Sequence, residues 1–257
     1  MSTSYAVTDS LTMLRRNLKH ALRYPSLTVG VVGQPVLLML LFVYVFGGAM
    51  KLGGGATYVN YLVPGMLMMT AGSATMPAAI GVCSDMSEGI VSRFRTMPIA
   101  RVSLLTGHVV GNMIQMLVSL VLVLGVSFAM GFRPEASFGG WLLVVALLVL
   151  LSLALTWLAV ALGLVSKTPE AASNIVLPIS LLLPFISSAF VPVDSMPAGV
   201  RWFAHYQPFT PIIETLRGLL NGTPVGSNWI IALVWCAGIA IGGYLWAKKL
   251  FTRDVRR

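Results

Sequence analysis

The sequence predicts an all-α membrane protein: six transmembrane helices, an N-terminal cytoplasmic amphipathic helix, and re-entrant or interfacial helices in the outer segment between the fifth and sixth spans. Three observations predict it. Of 257 residues, 57% are apolar and 10% charged, against roughly 25% charged in soluble domains, so the chain cannot cover a water-facing surface. Six stretches lack Asp, Glu, Lys and Arg altogether: Ser26–Met50, Leu52–Ser84, Val102–Phe132, Ala136–Ser166, Ala171–Val193 and Gly218–Ala247. Each exceeds the roughly 20 residues that cross a hydrocarbon core about 30 Å thick, and a helix satisfies its own backbone there. Third, the basic residues cluster between and beyond these stretches, as topology and anionic headgroups require. A net charge of +9 does not here imply nucleic acid, because no face or helix gathers the charge into a phosphate-binding patch.

The elements follow in order. Residues 1–25 read as an amphipathic connecting helix, since Val7, Leu11, Leu14, Leu18 and Leu22 recur at helical spacing while Arg15, Arg16, Lys19 and Arg23 occupy the other faces. Thr8 and Asp9 suit its start and Pro25 its end. The spans are placed at 26–50, 60–83, 104–131, 140–166, 172–192 and 228–247, with a charged loop at 84–101, an outer segment at 193–226 and a basic tail at 248–257. Gly53-Gly54-Gly55 marks a turn after the first span. With the N-terminus inside, thirteen Lys/Arg fall on inner segments and four (Lys51, Arg133, Arg201, Arg217) on outer ones, so both termini are cytoplasmic. In the outer segment, Thr210 and Pro211 suit a helix cap and first residue, Ile212, Ile213, Leu216, Leu219 and Leu220 form one face, and Asn221-Gly222 ends it. Short helices sunk into the outer leaflet or folded over the bundle are expected there, with Trp202, Phe203 and Tyr206 in the aromatic belt.

All eight acids are expected outside the spans. Ion-coupled transport is therefore disfavoured, because a coupling ion needs a charged or titrating site at membrane depth. Intramembrane catalysis lacks paired acid/base groups or an activated nucleophile, and no phosphate-binding loop of the G-x-x-x-x-G-K-[ST] type occurs. Cys83 and Cys236 read as packing residues, and no metal-ligand spacing is present. What the spans offer is mild polarity. His108, Asn112, Gln115 and Ser119 share one face of the third span. Thr70 and Ser73 lead to Pro77 on the second; Ser180, Pro184 and Ser187 repeat the pattern on the fifth. Such groups either hydrogen-bond helices together or line a path whose prolines permit bending. Met66, Met68, Met69 and Met76 would add an adaptable lining, and Gly107-x-x-x-Gly111 and Gly238-x-x-x-Gly242 allow close helix approach.

Between the second and third spans lies EGIVSRFRTMPIAR, Glu88 to Arg101. Asp85 followed by Glu88 forms a plausible capping box, Ile90, Val91, Phe94 and Met97 an apolar face, and Pro98 a stop. A short amphipathic helix between two spans is either an inert positive loop or a handle on both. This segment, with MGFRP (Met130 to Pro134), FVPVDSMP and HYQPFTPIIETLRGLL, resembles the ABC-2 type exporter permeases, particularly their daunorubicin-resistance branch, over nearly the whole chain.

The resemblance implies a permease subunit of the bacterial cell membrane, working with a second permease chain, identical or homologous, and with two separate ATP-binding subunits that hold ATP and Mg. It implies that Asp85, Glu88, Gly89, Arg93, Arg95, Pro98 and Arg101 form a coupling helix docked on the ATPase, with Arg15, Arg16 and Lys19 as a second contact. It implies further that the second and fifth spans line the central cavity, which makes Thr70, Ser73, Pro77, Ser180, Pro184 and Ser187 candidate path residues, beside Asn112, Gln115 and Ser119 from the polar face of the third span. His108-x-x-x-Asn112 stands where relatives carry stronger charges. The expected function is ATP-driven export of an amphipathic drug, antibiotic or lipid, with no catalysis in this chain. The alternatives are an energy-independent homo-oligomeric channel or scaffold and, within the family, an exporter of a polysaccharide carrier or cation.

Overall fold

The computed structural model describes the backbone of residues 25–46, 58–87 and 101–254, and the side chains of residues 33–45, 58–87 and 109–251. Every regular element among them is helical. Helix α1 (Pro25–Leu41) runs into a π turn at Phe42–Phe46. Helices α2 (Tyr58–Ser73) and α3 (Met76–Ser87) form one interrupted rod. Helices α4 (Arg101–Ala129) and α5 (Phe138–Val165) follow, and then α6 (Pro169–Leu177), a π turn at Pro178–Leu182 and the single turn α7 (Leu183–Phe185). After a 3-10 turn at Val193–Ser195 come α8 (Ala198–Tyr206), α9 (Phe209–Leu220) and α10 (Asn228–Asp254).

Among the described residues, four helical stretches are long and apolar enough to cross a membrane: Tyr58–Ser87, Val109–Ala129, Phe138–Val165 and Asn228–Phe251. Of the other two expected spans, the first is helical from Pro25 to Phe46, with side chains described from residue 33, and the fifth has a shorter apolar helix at Pro169–Phe185. For the fifth stretch the reason is local: Pro178 and Pro184 donate no backbone N–H, so the α ladder widens into a π turn and stops at Phe185. The sixth helix runs on to Asp254, so part of the expected basic tail is helix.

The break inside the second stretch falls at Ala74–Thr75. Pro77 has no N–H for the Ser73 carbonyl. The chain tightens instead: Thr75 N donates to Gly72 O at 3.1 Å, and the Thr75 hydroxyl donates to the same carbonyl at 2.7 Å. Capping explains two other starts. Ser137 Oγ accepts from Gly140 N before α5, and Thr168 Oγ1 accepts from Ala171 N before α6, where Pro169 fills the first helical position.

Helix α2 is the centre of the bundle. Leu62, Met66 and Met69 on it are fully buried, and they belong to the same core as Phe209, Ile212 and Leu216 of α9, Leu151 of α5 and Met116 of α4. Small residues set the helix spacings. A Cβ on Gly65 would lie 2.7 Å from Ala189, one on Gly243 2.8 Å from Leu158 N, and one on Gly163 would run into the Ala79 carbonyl oxygen. By contrast α10 and α4 leave large apolar faces open, including Val234, Ile241 and Leu245 on the former and Val118, Val121 and Leu122 on the latter. Lipid tails solvate such faces.

Three sequence expectations need correction. Asp85 lies inside α3 and is 7% exposed. Its backbone is helical, so it does not start a capping box with Glu88, and it is an acid within an apolar helical stretch rather than outside one. Thr210 is not a cap, because α9 begins at Phe209; its hydroxyl donates to Ala204 O and ties α8 to α9. Gly238 and Gly242 meet nothing within 4 Å; the close approach on α10 is made by Gly243. In the outer segment α9 packs among α2, α5 and α10, whereas α8 carries the exposed Trp202, Phe203 and Tyr206. The predicted stop at Asn221-Gly222 holds, Asn221 being the C-cap and Gly222 having φ +66°.

Candidate functional site

The two proline-interrupted rods meet. A Cβ on Gly72 would lie 3.2 Å from Ser180 Cα, so the end of α2 packs directly on the π turn after α6. Gly72, Thr75, Ile179 and Ser180 line a shallow cleft there, with Leu155 and Phe209 among its apolar walls. The Ser180 hydroxyl donates to Val176 O and Leu177 O at 3.1 and 3.2 Å, satisfying carbonyls beside the π turn. Thr70 donates to Met66 O at 2.7 Å, and Ser187 donates to Pro184 O and accepts from Ala189 N. The Ser180 and Ser187 hydroxyls bond carbonyls at irregular backbone, whereas Thr70 bonds back within the regular turns of α2.

The third-span residues sit elsewhere. Helix α4 packs on α1, α2, α3 and α5. Asn112 Nδ2 donates to Thr156 Oγ1 on α5 at 3.0 Å, and the Ser119 hydroxyl donates to Gln115 O. Asn112 is thus an interhelical tie within this chain. Thr70, Asn112, Ser119, Ser180, Pro184 and Ser187 are buried, whereas Ser73, Pro77 and Gln115 are half-buried. Of the residues assigned to coupling, Asp85 lies in the last turn of α3, which ends at Ser87, and Arg101 opens α4. Arg15, Arg16, Lys19, Glu88, Gly89, Arg93, Arg95 and Pro98 lie outside the described residues, as does the side chain of Arg101.

The opposite end of the bundle carries a polar cluster that charge counting treats only as outside charge. The Arg217 side chain, 11% exposed, pairs with Glu214 one turn before it and lies 3.7 Å from the centre of the Tyr61 ring. It donates to Tyr61 O at 3.2 Å and to Ser188 O at 2.7 Å. The sequence signal was Glu214 and Arg217 at i, i+3 in an otherwise apolar helix. The quoted motifs acquire structural roles here too. In MGFRP, Gly131 takes φ +94°, Phe132 is buried, and the Arg133 backbone exchanges two hydrogen bonds with the Asn60 side chain. In FVPVDSMP, the Arg201 guanidinium donates to Asp194 O and Met196 O, holding the 3-10 turn.

Residues 8–221 match the ABC-2 type transporter family. The chain is 26% identical to the daunorubicin resistance ABC transporter permease protein DrrB1 of Streptomyces coeruleorubidus, over 92% of this chain and 82% of that protein. It is 26% identical to the probable doxorubicin resistance ABC transporter permease protein DrrC of Mycobacterium tuberculosis, over 91% of this chain and 85% of that one. It is 23% identical to the putative transport permease ycf38 of Cyanophora paradoxa, over 90% and 79%. A match over most of the chain, together with four membrane-length apolar helices, makes this multi-pass membrane protein a member of the ABC-2 type transporter family.

Proposed function

We propose that this chain is the permease subunit of an ATP-driven exporter that moves an amphipathic drug, antibiotic or lipid out of the cell. The observation that carries the reading is the likeness, over 92% and 91% of the chain, to two permeases named for daunorubicin and doxorubicin resistance. In this reading ATP and its Mg are bound by two separate subunits, in keeping with a sequence that carries no phosphate-binding loop, and a second permease chain completes the cavity. In this reading the chain crosses the bacterial cell membrane six times with both termini in the cytoplasm. Helix α1 with its π turn, 17 and 5 residues, is long enough for one further crossing at about 1.5 Å per residue. The α6–α7 unit completes the sixth by continuing into the irregular residues 186–190, of which Ile186 is exposed and Ser187, Ser188, Ala189 and Phe190 are buried.

ATP-driven closure of the partner subunits moves the segment from Glu88 to Arg101, with Arg15, Arg16 and Lys19 as a second contact. The motion enters the bundle through the ends of α3 and α4. The α2–α3 break and the π turn after α6 give the two rods joints at the place where they touch, so they can part or close without unwinding a regular helix. A largely uncharged lining suits an amphipathic cargo better than a free ion. The test is reconstitution with the ATP-binding protein encoded beside it. Export should require that protein and ATP, and Arg93→Glu should abolish coupling while the complex of permeases persists. Accumulation against a gradient by this chain alone, without nucleotide, would overturn the reading.

A further inference from the structure

Beyond Phe185 the fifth apolar stretch stops being a helix but does not leave the bundle: Ser187, Ser188, Ala189 and Phe190 are all buried. Its carbonyls are therefore obliged to find partners, and they find side chains on other elements. Gln207 Nε2 donates to Ile186 O at 2.7 Å. The Tyr61 hydroxyl and Arg217 Nη2 donate to Ser188 O at 3.0 and 2.7 Å. The Tyr58 hydroxyl reaches Phe190 O at 3.4 Å. Alternate carbonyls of one strap are thus held by α2 on one side and by the α8–α9 region on the other. Arg217 is the member that joins all three parts, since it also bonds Tyr61 O, stacks on the Tyr61 ring and pairs with Glu214.

We propose that residues 186–190 are a gate strap at the outer mouth of the path, and that Arg217 is the latch that holds it shut against α2. The outward direction rests on the exporter reading above; the latch does not. A strap bonded through side chains can swing away by exchanging those bonds for others, whereas a helix end would have to break its own ladder. The Pro184 turn and the π turn before it supply the hinge, and the Phe185–Phe190 stack, with centroids 4.6 Å apart, folds the strap back on its own root. Two buried polar atoms at the strap, Ser188 Oγ and Gln207 Oε1, have no partner in this closed arrangement. Such groups favour a second arrangement in which they are solvated.

The test uses Ser188→Cys in the full chain with the buried Cys83 and Cys236 replaced by Ala, reconstituted alone in liposomes and probed with a small thiol reagent. Ser152→Cys, equally buried with an unpartnered hydroxyl on α5, is the control. Arg217→Met should speed labelling of Ser188→Cys on the order of tenfold or more, as expected for losing charge-assisted bonds. Arg217→Lys should retain most of the protection, and Ser152→Cys should not change. An unchanged rate at position 188, or an equal rise at position 152, overturns the latch. Without any reporter cysteine at position 188, amide exchange of residues 186–190 should quicken with Arg217→Met; unchanged exchange overturns the latch as well. In the assembly with its ATP-binding protein, labelling at position 188 should rise during turnover. Export proceeding without that rise overturns the gate, whereas failure of any export counts against the exporter reading and leaves the Arg217→Met comparison in liposomes to decide the latch.

Discussion

Gly163 has no side chain because a Cβ there would run into the Ala79 carbonyl oxygen. Gly163→Val should therefore lower the thermal midpoint of the detergent-solubilised protein by the equivalent of about 1–3 kcal/mol, the usual cost of overpacking. Gly238→Ala and Gly242→Ala, which meet nothing within 4 Å, should leave it unchanged in the isolated chain. The spacing in the sequence favoured Gly238 and Gly242 over Gly163 for close approach, and the neighbours decide the reverse. Asn112 makes the same point. Its spacing with Gln115 and Ser119 was visible, but whether it faced a path or a partner depended on Thr156, 44 positions away. A double-mutant cycle of Asn112→Ala and Thr156→Val should give a coupling of about 0.5–1.5 kcal/mol by unfolding measurements. Zero coupling would return Asn112 to the candidate lining.

At the scale of elements, the prolines were the readable part. Pro77 on the second stretch and Pro184 on the fifth marked where helical bonding is incomplete, and the structure breaks or widens near both. The π turn itself was not legible, because a missing N–H at Pro178 says that the ladder changes without saying how it re-forms. Pro77→Ala restores a donor for the Ser73 carbonyl. It should slow amide exchange across residues 74–78 while export by the assembled transporter falls, if flexing at this joint is used. Faster exchange, or full export with a straightened rod, would remove the joint from the mechanism. The fate of the outer helices was half visible. Their amphipathic spacing and the Asn221-Gly222 stop were plain, yet α9 is buried and α8 is not, because α9 meets apolar partners on α2, α5 and α10.

For the whole molecule, the count of basic residues predicts both termini in the cytoplasm, and that orientation is directly testable. Thr223, exposed beside Gly222, should when changed to Cys react with an impermeant thiol reagent added to intact cells, while cysteines placed at either terminus should react only after the membrane is opened. The opposite pattern would invert the bundle. Asp85 tempers the argument made from acids. An acid does lie in an apolar helical stretch, although at its last turn, where a carboxylate can reach the interface or a partner at far lower cost than at mid-depth.

What the sequence by itself determined was membrane class, helical architecture, the order of the segments and their kinship, since these depend on composition, length and local spacing. Only the tertiary structure decided that α2 is the centre of the bundle, that Gly72 meets Ser180, and that Arg217 gathers Tyr61, Ser188 and Glu214 into one cluster. Those facts join residues up to 156 positions apart. Local patterning carries no information about such pairs, because they are selected by which helix faces fit together once the chain has crossed the bilayer.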